Sequence, residues 1–197
     1  MEASELRTLY PTFSFDSFSY ELEKDGLAVV YTYSLEDTYT FTHQLLFPEV
    51  DALMLHRLSP EETNQYLFAI GMAETLNYWK LTASPMIEVK AGPLNADQIA
   101  WWHDLLIQGM GEYFFTNNIA FTDPDFVTIT AADSEVEKTP DPQTPSAEDP
   151  RILIPVGGGK DSAVTLAVLG GAYPDRAAGF MVNPIPSARE TLTVSPL

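Results

Sequence analysis

From Phe13 to Phe47, aromatic and β-branched residues alternate in part with polar ones, as in Tyr31-Thr32-Tyr33 and Tyr39-Thr40-Phe41-Thr42. That is the period of a strand with one buried face. Lys24-Asp25-Gly26 and Leu35-Glu36-Asp37 supply turns, so the region reads as three antiparallel strands. The pattern then changes. Ser59-Pro60-Glu61-Glu62 combines a capping hydroxyl, a proline at the first helical position and a carboxylate at capping-box distance, and predicts a helix to about Lys80. Gly71 lies inside that helix at a cost of about 1 kcal/mol relative to alanine, so a close approach to another backbone or to a ligand is expected there. A strand follows from Met86 to Val89. Asn95-Ala96-Asp97-Gln98 caps a second helix, on which Ile99, Trp102 and Leu106 make a buried stripe. Gly109 and Gly111 end it, and Glu112 to Phe115 is expected to turn back as a strand.

Residues 131–150 carry Asp133, Glu135 and Glu137, then Pro140, Pro142, Pro145 and Pro150 among Thr and Ser. Such a segment buries too little apolar surface to offset its ordering entropy, and reads as an acidic, proline-rich linker. Beyond it, Ile152 to Val156 is a strand, Asp161 to Leu169 a helix stopped by Gly170-Gly171, and Ala178 to Val182 a second strand ending at Asn183-Pro184. The expected fold is therefore an α+β region over 1–130, with antiparallel strands plus two helices, then the linker, then over 151–197 the start of an α/β parallel-sheet nucleotide-binding domain. Only about thirty-five residues follow Ser162, too few to cover both faces of a parallel sheet. The α/β domain is accordingly expected to be truncated and to bind ATP weakly or not at all by itself.

Composition narrows the function. A chain of 197 residues, 45% hydrophobic, can bury a sizeable core in one or two domains. A net charge of −18 excludes the electrostatic footprint of a nucleic-acid binder. With no cysteine there is no disulfide framework, thiolate metal site or persulfide-carrying thiol. Glu2, Glu5, Arg7 and Asp16 interrupt the first twenty residues, so no secretory signal is read, and no apolar run is long enough to span a bilayer. The expected location is the cytoplasm, with neither nucleic acid nor membrane as a partner; the oligomeric state is left open.

The chemistry concentrates in Val156-Gly157-Gly158-Gly159-Lys160-Asp161-Ser162, between the first strand and the helix of the α/β region. Glycines let a loop bring its main chain against a ligand at positive φ, and the helix start adds free N–H groups. A Walker loop fails here, because Ile154 stands where its first glycine belongs and Asp161 replaces the hydroxyl that would hold magnesium. A dinucleotide fingerprint fits poorly, with Ser162 at the third glycine and Asn183 where a ribose-binding acid should follow. Gly158-Gly159-Lys160-Asp161-Ser162 does match the Gly-Gly-x-Asp-Ser pattern of the ATP pyrophosphatases. An unliganded glycine turn is the plain alternative, and it needs one or two flexible residues, not three glycines followed by Lys-Asp-Ser.

Three other residues are candidates by chemical type. Glu74 shares a helix face with Ile70 and Gly71; it is either an edge carboxylate bonded to Lys80 or a loop N–H, or a substrate or proton-transfer group. His103 is either a structural group in the packed Trp101-Trp102-His103 face or a base. Glu112, between glycine and tyrosine, is the third.

The chain also resembles one bacterial family more specifically. Ile70-Gly71-Met72-Ala73-Glu74 with Tyr78-Trp79-Lys80, then Ser84-Pro85, then Gln98-Ile99-Ala100-Trp101-Trp102-His103 through Gly109-Met110-Gly111-Glu112-Tyr113-Phe114-Phe115-Thr116-Asn117, together with the triglycine loop, are similar to the UDP-N-acetylmuramoyl-L-alanyl-L-glutamate epimerases. The likeness spans roughly residues 12 to 190, and proteins of that family are much longer. It implies ATP-driven epimerisation of the terminal L-glutamate of a UDP-muramoyl dipeptide through an acyl-adenylate, in peptidoglycan precursor synthesis. It further implies that Gly157, Gly158 and Gly159 cradle the departing pyrophosphate, that Ser162 donates a hydrogen bond, that Lys160 offsets charge, and that Asp161 orients the loop or helps hold Mg²⁺. The strand end at Asn183 would read the adenine through its backbone, or Asn183 simply caps the turn at Pro184. The remaining alternatives are another ATP pyrophosphatase making an amide or thio product, and an inactive fragment.

Overall fold

The computed structural model describes residues 2–36, 38–48, 50–132 and 151–181. The chain divides into two compact units, Met1–Glu137 and Lys138–Leu197.

The first unit opens with a short helix, α1 (Ala3–Leu9), which no sequence signal announced. The strands β1 (Thr12–Glu23), β2 (Gly26–Leu35) and β3 (Tyr39–Pro48) then form the expected antiparallel meander. Its register pairs Phe13 with Leu35 and Tyr31 with His43, with one irregularity between Phe15 and Ser17. Every second residue of β2 is buried, Leu27, Val29, Tyr31, Tyr33 and Leu35 among them, so one face of the meander is the core face. A single-turn helix, α2 (Ala52–Leu55), leads to α3 (Pro60–Trp79). The α3 cap forms as the sequence specifies: Ser59 Oγ accepts from the Glu62 N–H at 3.1 Å, and the Glu62 carboxylate accepts from the Ser59 N–H at 2.8 Å.

The strand expected at Met86 continues to Pro93 as β4, and an unexpected β5 (Thr128–Ala132) lies beside it. Both run parallel to β1, giving the order β3-β2-β1-β4-β5. The sheet is therefore mixed rather than purely antiparallel. The connection between β4 and β5 holds α4 (Ala96–Gly109), with its Asn95/Gln98 capping box and with Leu106 buried, and α5 (Gly111–Thr116). The strand expected from Glu112 to Phe115 is a helix instead. Helical spacing lets Phe114 alone enter the core, stacked on Phe121 at 4.5 Å and edge-on to Phe126 and Trp79, while the Tyr113 hydroxyl donates to the Lys80 carbonyl and Phe115 stays 86% exposed. A strand would have put Tyr113 and Phe115 on one face and left neither contact in place.

The close approach expected at Gly71 is real. A Cβ there would lie 2.4 Å from Phe15 Cζ and 2.8 Å from the Tyr31 ring. Two tyrosines pin the helix at the same level: Tyr31 Oη donates to the Leu67 carbonyl at 3.0 Å and Tyr33 Oη to the Gly71 carbonyl at 2.9 Å. At the other end of the sheet Arg7 ties α1 down. Its guanidinium donates to the carbonyls of Ala83 and Phe126 and lies 4.0 Å over the Phe126 ring, and burial lowers its pKa.

The second unit contains β6 (Ile152–Pro155), α6 (Lys160–Thr165) running into a π-helical turn (Leu166–Gly170), and β7 (Ala177–Phe180), which pairs parallel to β6. This is the βαβ order read from the sequence. Ile154, Val156 and Leu166 make its small core, while Leu153, Val164, Val168 and Phe180 are all exposed.

Two outcomes follow for the first unit. Gly71→Ala, although a better helix former, should destabilise the chain by about 1–3 kcal/mol because the methyl overpacks against Phe15 and Tyr31; chemical unfolding showing equal or greater stability would contradict this packing. Burial, aided by the Glu74 charge, pushes the Tyr31 phenol up to about 12 and Tyr33 also upward. Folded tyrosines that keep their protons longer than unfolded ones confer stability that is complete below the ordinary tyrosine pKa of about 10 and is lost above it. Tm should therefore fall as the pH rises from about 10 to about 12, with the 295 nm phenolate absorbance appearing together with unfolding. A level Tm across that window would show these hydroxyls to be accessible.

Candidate functional site

Where α3 crosses the outer strand β3, three polar groups meet. Along β3 the half-buried row is Phe41, His43, Leu45 and Phe47, so His43 is a polar side chain in an otherwise apolar inward row. Glu74 and Tyr78 lie one turn apart on α3 and therefore share the face that meets this row. Tyr78 packs its ring on Tyr33 at 5.0 Å and on Phe41 at 5.4 Å, which fixes the direction of its hydroxyl. That hydroxyl is 3.0 Å from His43 Nδ1. On the other side of the ring, His43 Nε2 is 3.6 Å from Glu74 Oε2. The gap is short enough for an ion pair if the imidazole is charged and too long for a hydrogen bond, so Nε2 is buried without a hydrogen-bond partner. Glu74 also accepts from Asn77 Nδ2 at 2.8 Å, and Asn77 Oδ1 in turn faces Lys80 Nζ at 3.5 Å. Burial first, and the Glu74 charge second, raise the Tyr78 pKa.

The three candidates read by chemical type are not gathered into one site. Glu74 is in the row just described, reaching Lys80 only through Asn77. His103 lies half-buried on α4 and Glu112 is exposed in the first turn of α5; neither takes part in the interactions of Glu74. His43 was not singled out from the sequence. The available signal was the strand period itself, which sets a titratable ring among Phe41, Leu45 and Phe47. A separate cleft of about 560 Å³ is lined by Glu2, Arg7, Thr8, Pro11, Pro85 and Asn118, among others, and by none of these candidates.

In the second unit the triglycine segment leaves β6 and enters α6 as read. Gly158 has φ +83°, the left-handed region that a side chain rarely adopts. A Cβ at Gly157 or at Gly159 would meet nothing within 4 Å, so the bend is open on that side. Ser162 Oγ accepts from the Gly157 N–H at 3.1 Å, which uses one amide that the sequence reading gave to phosphate. The first-turn amides of Lys160 and Asp161 have no intrahelical acceptor by helix geometry. Among the described residues no group of three or more His, Asp or Glu side chains is placed to hold a metal ion. Met181 packs on the small core of this unit, and Asn183 lies outside the described residues. No helix among the described residues is long and apolar enough to cross a membrane.

No curated protein and no solved structure matches the chain. A family model, the MurL N-terminal domain, matches residues 4–196. That match takes in both the row at α3 and β3 and the triglycine bend. The chain belongs to this family, the N-terminal part of the UDP-N-acetylmuramoyl-L-alanyl-L-glutamate epimerases of peptidoglycan synthesis.

Proposed function

We propose that the protein carrying this chain converts the terminal L-glutamate of UDP-N-acetylmuramoyl-L-alanyl-L-glutamate to D-glutamate in an ATP-dependent reaction. The observation that carries the proposal is the family match across residues 4–196, continuous through the triglycine bend. The chemistry explains why ATP is needed. A free α-carboxylate disfavours loss of the neighbouring Cα–H, because the resulting enolate would carry a second negative charge. Converted to an acyl-adenylate, with pyrophosphate released, the same carbon becomes far more acidic. Removal of its proton on one face, return on the other and hydrolysis to AMP give the D-glutamyl centre.

In this reading Gly157, Gly158 and Gly159 hold the triphosphate, supported by the left-handed Gly158 and the open space at its neighbours. Ser162, which accepts from the Gly157 amide, keeps its own hydroxyl proton to donate to a phosphate oxygen. Lys160 offsets charge as pyrophosphate departs. Asp161 would hold Mg²⁺ through its carboxylate, and the ion would supply charge neutralisation to the triphosphate. The reaction takes place away from nucleic acid and membrane, in the cytoplasm, where nucleotide-linked precursors and ATP are both found.

The test is incubation of the whole protein with ATP, Mg²⁺ and the L-glutamyl dipeptide nucleotide in D₂O. The proposal expects AMP, pyrophosphate and deuterium at the glutamyl Cα. AMP without deuterium would replace it with amide or thio formation by an ATP pyrophosphatase, and the absence of both would reject it.

A further inference from the structure

We propose that the outer edge of β3 is a self-association surface, on which a second copy of the chain pairs its own β3 antiparallel about a two-fold axis at His43. The proposal is independent of the epimerase reading and concerns the first unit alone.

β3 and β5 are the two edges of the five-stranded sheet, and they are built differently. β5 is five residues long, and its pairing with β4 is interrupted between Val89 and Pro93. Shortness and irregularity are among the usual means by which an edge is kept from pairing with another chain. β3 is ten residues long and pairs with β2 in unbroken register from Tyr39 to Pro48. Its proline is its last residue, and no Asp, Glu, Lys or Arg interrupts it in a chain that carries 28 acidic residues. Among the described residues no strand pairs with its outer side. A long, regular, uncharged edge of this kind presents a row of backbone donors and acceptors that another strand can satisfy.

The occupant follows from the two ends of the strand. In a two-fold pairing, residues of the same face must oppose one another, because a slip of one residue would turn the apolar row to the wrong side. An axis at His43 meets that condition and pairs all of Tyr39 to Phe47, while leaving Pro48, which has no N–H, outside. Thr42 then faces Gln44 of the second copy, Thr40 faces its Leu46, and Tyr39 faces its Phe47. Tyr39 is 50% exposed, and Phe47 lines an apolar groove of about 240 Å³ with Leu27, Val50, Met54, Leu55 and Leu67. An exposed aromatic ring at one end of the strand thus meets an unfilled apolar groove at the other, and the symmetry makes the contact twice. A foreign peptide would have to bring such a ring at the right spacing; a second copy already has it.

Charge sets the conditions. Each copy carries a net charge of −18, and Asp37 and Glu49 flank the strand in sequence. Association through β3 works against this repulsion and should tighten as salt screens it. Contact through complementary charges would weaken instead.

The test is sedimentation of the full chain over a dilution series at low and high salt. The mass should rise from monomer to dimer with concentration, and at a lower concentration when salt is added. Thr42, Gln44 and Thr130 are exposed, so lysine at these positions leaves the core intact, which an unchanged Tm would verify. Thr42→Lys combined with Gln44→Lys sets like charges opposite each other twice and should raise the dissociation constant at least about tenfold. Thr130→Lys on β5 should not raise it. Because the chain has no cysteine, a mixture of Thr42→Cys and Gln44→Cys chains holds only the introduced thiols, and oxidation should link the two variants to each other in preference to either with itself. A chain that stays monomeric throughout, a dimer weakened by Thr130→Lys and not by the β3 lysines, association that weakens with salt, or no preference in the cross-linking would overturn the proposal. Protection of the β3 amides from hydrogen exchange that does not vary with concentration would also overturn it, and would assign the edge to another part of the same chain.

Discussion

The seat of one helix on one sheet governs the first unit. α3 approaches the β1–β2 face so closely at Gly71 that a single methyl does not fit, and the Tyr31 and Tyr33 hydroxyls bond the helix carbonyls at that level. The two features depend on each other. Buried phenols need acceptors, and an α-helix has carbonyls within reach only when its backbone lies close to the sheet. Once the helix is held there, its next turn has no freedom: Glu74 and Tyr78 must meet whatever the neighbouring strand presents, and β3 presents His43. A packing constraint in the core thus becomes the geometry of a polar row at its edge.

The same rigidity shapes the electrostatics of that row. Burial, with the Glu74 charge added to it, raises the proton affinity of Tyr31, Tyr33 and Tyr78, and the Tyr31 and Tyr78 rings lie against the imidazole. The row is closed on one side by aromatic rings and on the other by Asn77, which satisfies the carboxylate and links it to Lys80. Around the imidazole, one nitrogen is satisfied and the other faces charge without a bond. The second unit is built on a different principle, with a positive-φ glycine and open backbone on one side of a short bend and a small core of Ile154, Val156 and Leu166.

Much of this was legible in the sequence because it is local. The meander followed from alternation and turn residues, α3 and α4 from their capping boxes, the buried Leu106 stripe from helical spacing, and the close contact at Gly71 from the cost of glycine inside a helix. What was not legible is non-local. The parallel addition of β4 and β5 to β1 is decided by crossover packing, which no strand sequence records. Glu112 to Phe115 was misread because two flanking glycines suggest a break, whereas Phe114 gains more by entering the Trp79 and Phe126 cluster from a helical turn. Arg7 and α1 escaped notice because their partners are carbonyls at Ala83 and Phe126, more than seventy residues away. In the site, Glu74 was visible as a type but its partner was not, since pairing β3 with α3 brings together positions thirty-one residues apart that share no motif. The triglycine bend, a local feature, was read directly, but the Ser162 contact to its first amide was not.

The central claim is that the close seat of α3 wires Tyr78 to His43, and the most direct measurement is the ¹⁵N-histidine spectrum of Gly71→Ala compared with wild type. Lifting the helix by the added methyl should lengthen the Tyr78–His43 contact and shift the His43 Nδ1 resonance. A destabilised Gly71→Ala protein with an unchanged His43 spectrum would show that the row is set by something other than the helix seat.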